Sequence, residues 1–237
     1  MKKVAYYLLL VVLIGVFGFS AYKIGSYYWA KHQSDAVTEE AAQHVHVETE
    51  EDKQIIDVDF DELKAISDDI VGWIYCEGTQ VNYPVLQGPD NELYLYHLLD
   101  GSWNINGSIF MDFRGSRDFS DPNNILYGHH MKSGTMFAML TNYKEQSYFD
   151  EHPCMYLFTP QQNYRLDLFA GVLVSSDDEI YNSELSDEYL QYCMDNSTFV
   201  SPVGIPTENP IVTLSTCSFE FDEARYVVLT ELVPLTD

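Results

Sequence analysis

The sequence predicts a mainly β protein: a closed eight-stranded barrel with one helix ahead of it and another in the long connection before its last two strands. Two observations carry this expectation. Eight runs rich in β-branched and aromatic residues follow residue 72, separated by loops dense in Gly, Pro, Asn, Asp and Ser. Many short strands between turn-rich loops are the pattern of a closed barrel.

Met1-Lys2-Lys3 precedes Val4 to Tyr22, an almost unbroken apolar stretch without charge, about long enough to cross a bilayer as one helix. Lysines before such a stretch favour a cytoplasmic amino terminus and an exported remainder. Residues 1–23 therefore read as a cytoplasmic tip and a single transmembrane anchor in the cell membrane. The small residues of Gly18-Phe19-Ser20 before Ala21 also fit a signal-peptidase site, but the stretch exceeds the usual apolar core of a cleaved signal.

Residues 24–56 carry Ser, Ala, Gln, His and clustered Glu with no sustained apolar period, and read as an acidic extracellular stalk. His44 and His46 lack a nearby third ligand there, so no metal site is expected. Residues 57–237 are long enough for one domain with its own core. Asp59 with Glu62 three positions on resembles a capping box, and Phe60, Leu63, Ile66 and Ile70 mark one face of a helix running toward Asp69. Strands are then expected at Trp73–Cys76, Val81–Gln87, Ser108–Met111, Asn124–Tyr127, Met155–Thr159, Tyr164–Val174, Ile211–Cys217 and Arg225–Leu232. Ser186, followed by Asp187 and Glu188, starts a helix within the connection from Ser175 to Pro210. A connection of that length is usually functional.

The net charge is −25. Four of the twelve basic residues (Lys2, Lys3, Lys23 and Lys31) precede residue 32, which leaves eight against thirty-seven acids beyond it. Such a field excludes nucleic acid as a partner, and no EF-hand-type loop suggests calcium. Of the four cysteines, Cys76, Cys154 and Cys193 sit in apolar contexts and read as small core residues, although an exported compartment would permit a Cys76–Cys154 or Cys154–Cys193 bond.

Cys217 is different. It ends Ile211-Val212-Thr213-Leu214-Ser215-Thr216-Cys217, where alternation puts Thr213 and Ser215 on the face of the sulfur as a candidate substrate-binding wall. Arg225 follows eight positions later at the head of the next strand, and Tyr127-Gly128-His129-His130 delivers an imidazole where an earlier strand stops at glycine. A thiolate attacking a carbonyl needs a proton shuttle for the departing and incoming amines and fixed donors for the oxyanion; His129 and Arg225 suit these roles. His130 competes with His129 for the first. No cofactor is needed for this chemistry.

The same residues resemble the sortases, cysteine transpeptidases of Gram-positive cell surfaces. Thr213-Leu214-Ser215-Thr216-Cys217, Ala224-Arg225 and Gly128-His129-His130-Met131-Lys132-Ser133-Gly134-Thr135-Met136-Phe137 are most similar to class B. Further similarity lies in Asp68 to Ile74, Tyr83 to Gln87 with Asp90-Asn91, and Gly107 to Asp112, so the resemblance covers roughly Phe60 to Leu232. It selects His129 over His130. It implies a sortase-type barrel and recognition of a C-terminal sorting signal on exported proteins, with cleavage after Thr. It also implies transfer of the acyl group to an amine of a peptidoglycan precursor or a pilin lysine, and gives residues around Asp177 to Gly204 the role of a groove wall. A hydrolytic cysteine peptidase of the papain type would place Cys early in the chain, before its His. A non-catalytic anchored surface binding domain would have no reason to place Cys, His and Arg together.

Overall fold

The computed structural model describes residues 2–50 and 53–235. Met1, residues 51 and 52 of the expected stalk, and the last two residues of the chain lie outside that range. Helix α1 (Lys2–Ala42) leads into a hairpin of β1 (Val45–Glu50) and β2 (Lys53–Val58), then α2 (Phe60–Ile66). There follow β3 (Ile70–Tyr75), β4 (Asn82–Leu86), β5 (Ile109–Met111), β6 (Asn123–Tyr127), α3 (Gln146–Glu151), β7 (Cys154–Phe158), β8 (Asn163–Ser175), α4 (Asp187–Asp195), β9 (Ile211–Cys217) and β10 (Ala224–Pro234).

Strands β3 to β10 close into the expected eight-stranded barrel in the order β10-β8-β7-β3-β4-β5-β6-β9. The β4–β5 and β6–β9 pairs are parallel and the rest antiparallel. Side-chain alternation sorts β10 between two cores. Tyr226, Val228 and Leu232 join the barrel interior with Ile74, Leu126 and Leu214, whereas Val227 and Leu229 face outward into a second cluster with Leu190 and Cys193 of α4. Helix α4 begins where expected, with Ser186 Oγ accepting from Tyr189 N at 3.2 Å. Its nine residues are too few to hold a helix in water unaided, so this packing sustains it.

One expectation needs correction. Helix α2 starts at the Asp59 cap, whose Oδ1 accepts from Glu62 N at 3.1 Å, but stops at Ile66. Ser67 turns extended and Ile70 pairs with Leu86 in the sheet, so Ile70 is buried from a strand and not from a helix face. Helix α1 also runs on past residue 23, the expected end of the anchor, into the segment expected as a stalk. Residues 24–42 continue α1 because their Ala, Glu, Gln and Lys favour helix and Lys31 pairs with Asp35 one turn on. The end of α1 packs on the barrel, where Ala41 is wholly buried with Leu63, Trp73 and Leu86.

Candidate active site

Strands β9 and β10 pair with Arg225 directly opposite Cys217, which brings their Cβ atoms to about 4.5–5.5 Å. Strand β6 runs parallel on the other side of β9, with Tyr127 opposite Ser215. The pairing continues past the strand end: Gly128 N donates to Ser215 O at 3.1 Å, and Thr216 Oγ1 donates to Gly128 O at 2.8 Å. Glycine is required there for space. A Cβ at Gly128 would meet Ile109 Cδ1 at 2.5 Å and the Phe137 ring at 2.7 Å. The next residue is His129.

His129, Cys217 and Arg225 line one open cavity of about 370 Å³, together with Ser215, Tyr181 and Leu95. It lies on the outer face of the barrel, since Val212 and Leu214 between the polar residues of β9 point into the interior. Leu95 O lies 2.8 Å from His129 Nε2; a carbonyl only accepts, so Nε2 carries the hydrogen and Nδ1 is left to exchange a proton. His130 points elsewhere. Its Nδ1 donates to Cys217 O at 3.0 Å, its ring meets Phe219 edge-on, and it lines a separate cleft beside Met131 and Thr79.

Arg225 Nη1 donates to Glu223 O and Ala224 O, both at 3.1 Å. Among the described residues no carboxylate lies within ion-pair distance of it, so its charge is not consumed internally. Burial pushes the Cys76 and Cys193 thiols up to about 11 and raises Cys154 as well. These three are free, poorly reactive thiols, and Cys217 alone opens into the cavity. Among the described residues no group of three or more His, Cys, Asp and Glu side chains converges as metal ligands.

Ser215 lines the cavity, but Thr213 does not. It is wholly buried, and its Oγ1 donates to Asn123 Oδ1 at 2.6 Å. Asn123 Nδ2 in turn donates to Ile180 O at 3.0 Å and Asn182 O at 2.7 Å, which fixes the turn carrying Tyr181. Thr213 therefore supports a wall of the cavity without contacting what the cavity holds. The Tyr181 hydroxyl bonds Ser215 Oγ at 2.9 Å, and burial pushes its phenol up to about 12 against the pull of that bond and the Arg225 charge. Of the connection expected to wall the groove, Tyr181 lines the cavity, as does Ser176 just before it; α4 packs on the barrel instead.

A carboxylate to which the sequence assigns no role stands behind these residues. Asp112 accepts from Arg114 Nε and Nη2 at 2.8 and 2.9 Å, from Asn91 Nδ2 at 3.0 Å and from Tyr127 OH at 3.0 Å. Burial alone would raise its pKa, but these donors prevail and hold it at about 2. Arg114 Nη2 also reaches Tyr181 O at 3.2 Å, joining the two walls of the cavity.

A thiol, an imidazole and an unpaired guanidinium thus meet in one cleft on this barrel, and the family model of the sortase domain matches residues 74–233. The chain belongs to the sortase family. It is 33% identical over 235 residues to sortase B of Listeria monocytogenes, an alignment covering 95% of each protein. The crystal structure of Bacillus anthracis sortase B with AAEK1 superposes at a TM-score of 0.75 and 31% identity, covering 88% of this chain and all of that one. The Staphylococcus aureus sortase B–substrate complex does so at 0.70 and 34%, covering 75% and 85%. This sortase is accordingly a cysteine transpeptidase most similar to class B.

Proposed function

We propose that this sortase cleaves a C-terminal sorting signal on exported proteins and passes the acyl group to an amine of a peptidoglycan precursor or a pilin lysine. The observation that carries the reading is the cross-strand pairing of Cys217 with Arg225 in the cavity that also holds His129. The Cys217 thiolate attacks the carbonyl carbon of the signal's Thr, forming a C–S bond, and the oxyanion takes the directed N–H donors of Arg225. The C–N bond breaks as His129 protonates the leaving amine, leaving a thioester on Cys217. The acceptor amine then adds to the thioester, loses its proton to His129 and expels the thiolate. Helix α1 supports single-pass anchoring with the barrel outside the cell: its apolar part is long enough to span a membrane and none of it is buried by the protein.

The test is incubation of the full chain with sorting-signal peptides and candidate amines, followed by mass spectrometry. Expected are a thioester adduct on Cys217, an amine-ligated product, and neither of them with Cys217→Ala. An adduct on Cys76, Cys154 or Cys193 would overturn the assignment, and release of free acid alone, whatever the amine, would favour a hydrolytic peptidase.

A further inference from the structure

Where α1 leaves its apolar stretch it meets the loop between Leu99 and Gly107. Asn104, only 1% exposed, donates from Nδ2 to Ala30 O at 2.9 Å and to Gln33 Oε1 at 3.3 Å, and Gln33 Nε2 donates to Ser102 Oγ at 3.3 Å. These bonds clasp the loop to the helix. On either side of Asn104, Trp103 and Ile105 are 63% and 51% exposed. Trp103 shares a groove of about 590 Å³ with Tyr22, Ser26 and Trp29, and Trp29 is itself 76% exposed.

We propose that this loop is a second membrane contact, with the bilayer's outer headgroup layer taking up Trp103 and Ile105 beside Trp29, so that the barrel is docked on the lipid surface as well as tethered to it. The inference rests on the transmembrane reading of α1. At 1.5 Å per residue, Val4 to Ile24 spans about 30 Å, the thickness of the hydrocarbon core, with Lys23 near enough to its end for the ammonium to reach the interface, and Trp29 stands roughly 8 Å beyond it, at headgroup level. Trp103 lies beside Trp29 and extends the same ring toward Tyr22. Trp and Tyr concentrate at this depth because one end of the ring is apolar and the other polar. The net charge of −25 rules out attraction to anionic lipid as the cause. Aromatic and aliphatic insertion remains, so docking should persist in neutral lipid and at high salt. The same segment reaches the catalytic cavity: Asn104 N donates to Tyr96 O at 2.8 Å, and Leu95 O, one residue earlier, holds His129.

The experiment reconstitutes the full chain in neutral phosphatidylcholine vesicles with and without brominated acyl chains. The chain has three tryptophans, at 29, 73 and 103, and Trp73 is wholly buried in the barrel domain. The Trp29→Phe variant therefore reports Trp103 over a Trp73 background, which the Trp29→Phe, Trp103→Phe double variant measures. Brominated lipid is expected to remove most of the Trp103 emission, and aqueous iodide little of it. Emission quenched by iodide and untouched by brominated lipid, in protein that floats with its vesicles, would overturn the docking while leaving the anchor intact. Shielding from both quenchers would place another protein or a second copy there and overturn it equally. Protein that washes off the vesicles at alkaline pH would remove the transmembrane reading, and the docking with it.

Discussion

Neighbours in the chain can belong to different sites when a strand end sends them apart. His129 enters the cavity while His130 turns to the Cys217 carbonyl and Phe219. His129→Ala should abolish transpeptidation, whereas His130→Ala should keep the same reaction at reduced rate; steady-state assays of both decide it, and the reverse order would exchange their roles. Arg225 allows a sharper test. Lysine keeps the charge but loses the planar fork, so Arg225→Lys should fold normally and lose about 10²–10³ in turnover, the usual cost of one oxyanion donor. Arg165→Lys is the control, because Arg165 makes a surface pair with Asp167 worth at most about 1 kcal/mol. Turnover near wild type in Arg225→Lys would reduce that residue to a general electrostatic role.

Elements were legible in the sequence wherever one physical signal fixed them. The eight strands stand out because β-branched runs alternate with turn residues, and α4 because Ser186 caps it. Contacts that depend on a partner distant in the chain were not legible. Thr213 shares a face with Cys217, as alternation requires, yet Asn123, ninety residues earlier, claims its hydroxyl. Ile70 fits a helical period, but pairing with Leu86 places it in a strand. The same network gives a prediction for the cavity wall. Asn123→Ala strips the Ile180 and Asn182 carbonyls of their donor, at about 1–3 kcal/mol for buried groups left unpaired. The turn bearing Tyr181 should loosen, so a thermal melt should fall and KM for the peptide should rise more than kcat drops. Unchanged KM would dissociate Tyr181 from substrate binding.

At the scale of the whole molecule, an excess of acids makes acid stability a matter of the few carboxylates whose folded pKa departs from its ordinary value. Most are exposed, but Asp112 is buried and held at about 2 against an ordinary 3.8. Its stabilisation is complete above pH 4 and disappears as the pH falls through about 2, with a magnitude of roughly 2 kcal/mol. Asp112→Asn should therefore melt lower than wild type at pH 7, and the two curves should converge as the pH falls below 2. A constant gap across that range would show that the loss arises from packing and not from the carboxylate's charge.

The unbroken run of α1 into the barrel also bears on how this sortase would meet its substrates. A flexible tether lets a domain sample a hemisphere of positions, and its effective concentration falls as the tether lengthens. A continuous helix whose end is held to the barrel by the buried Ala41 offers no such joint. On the proposed topology the catalytic cleft rides at one height above the lipid, and its search becomes lateral diffusion in a thin layer. A substrate with its own membrane segment must then present its scissile bond at that height. The number of residues between that segment and the bond becomes a ruler, selecting among exported proteins before any side chain of the signal is read.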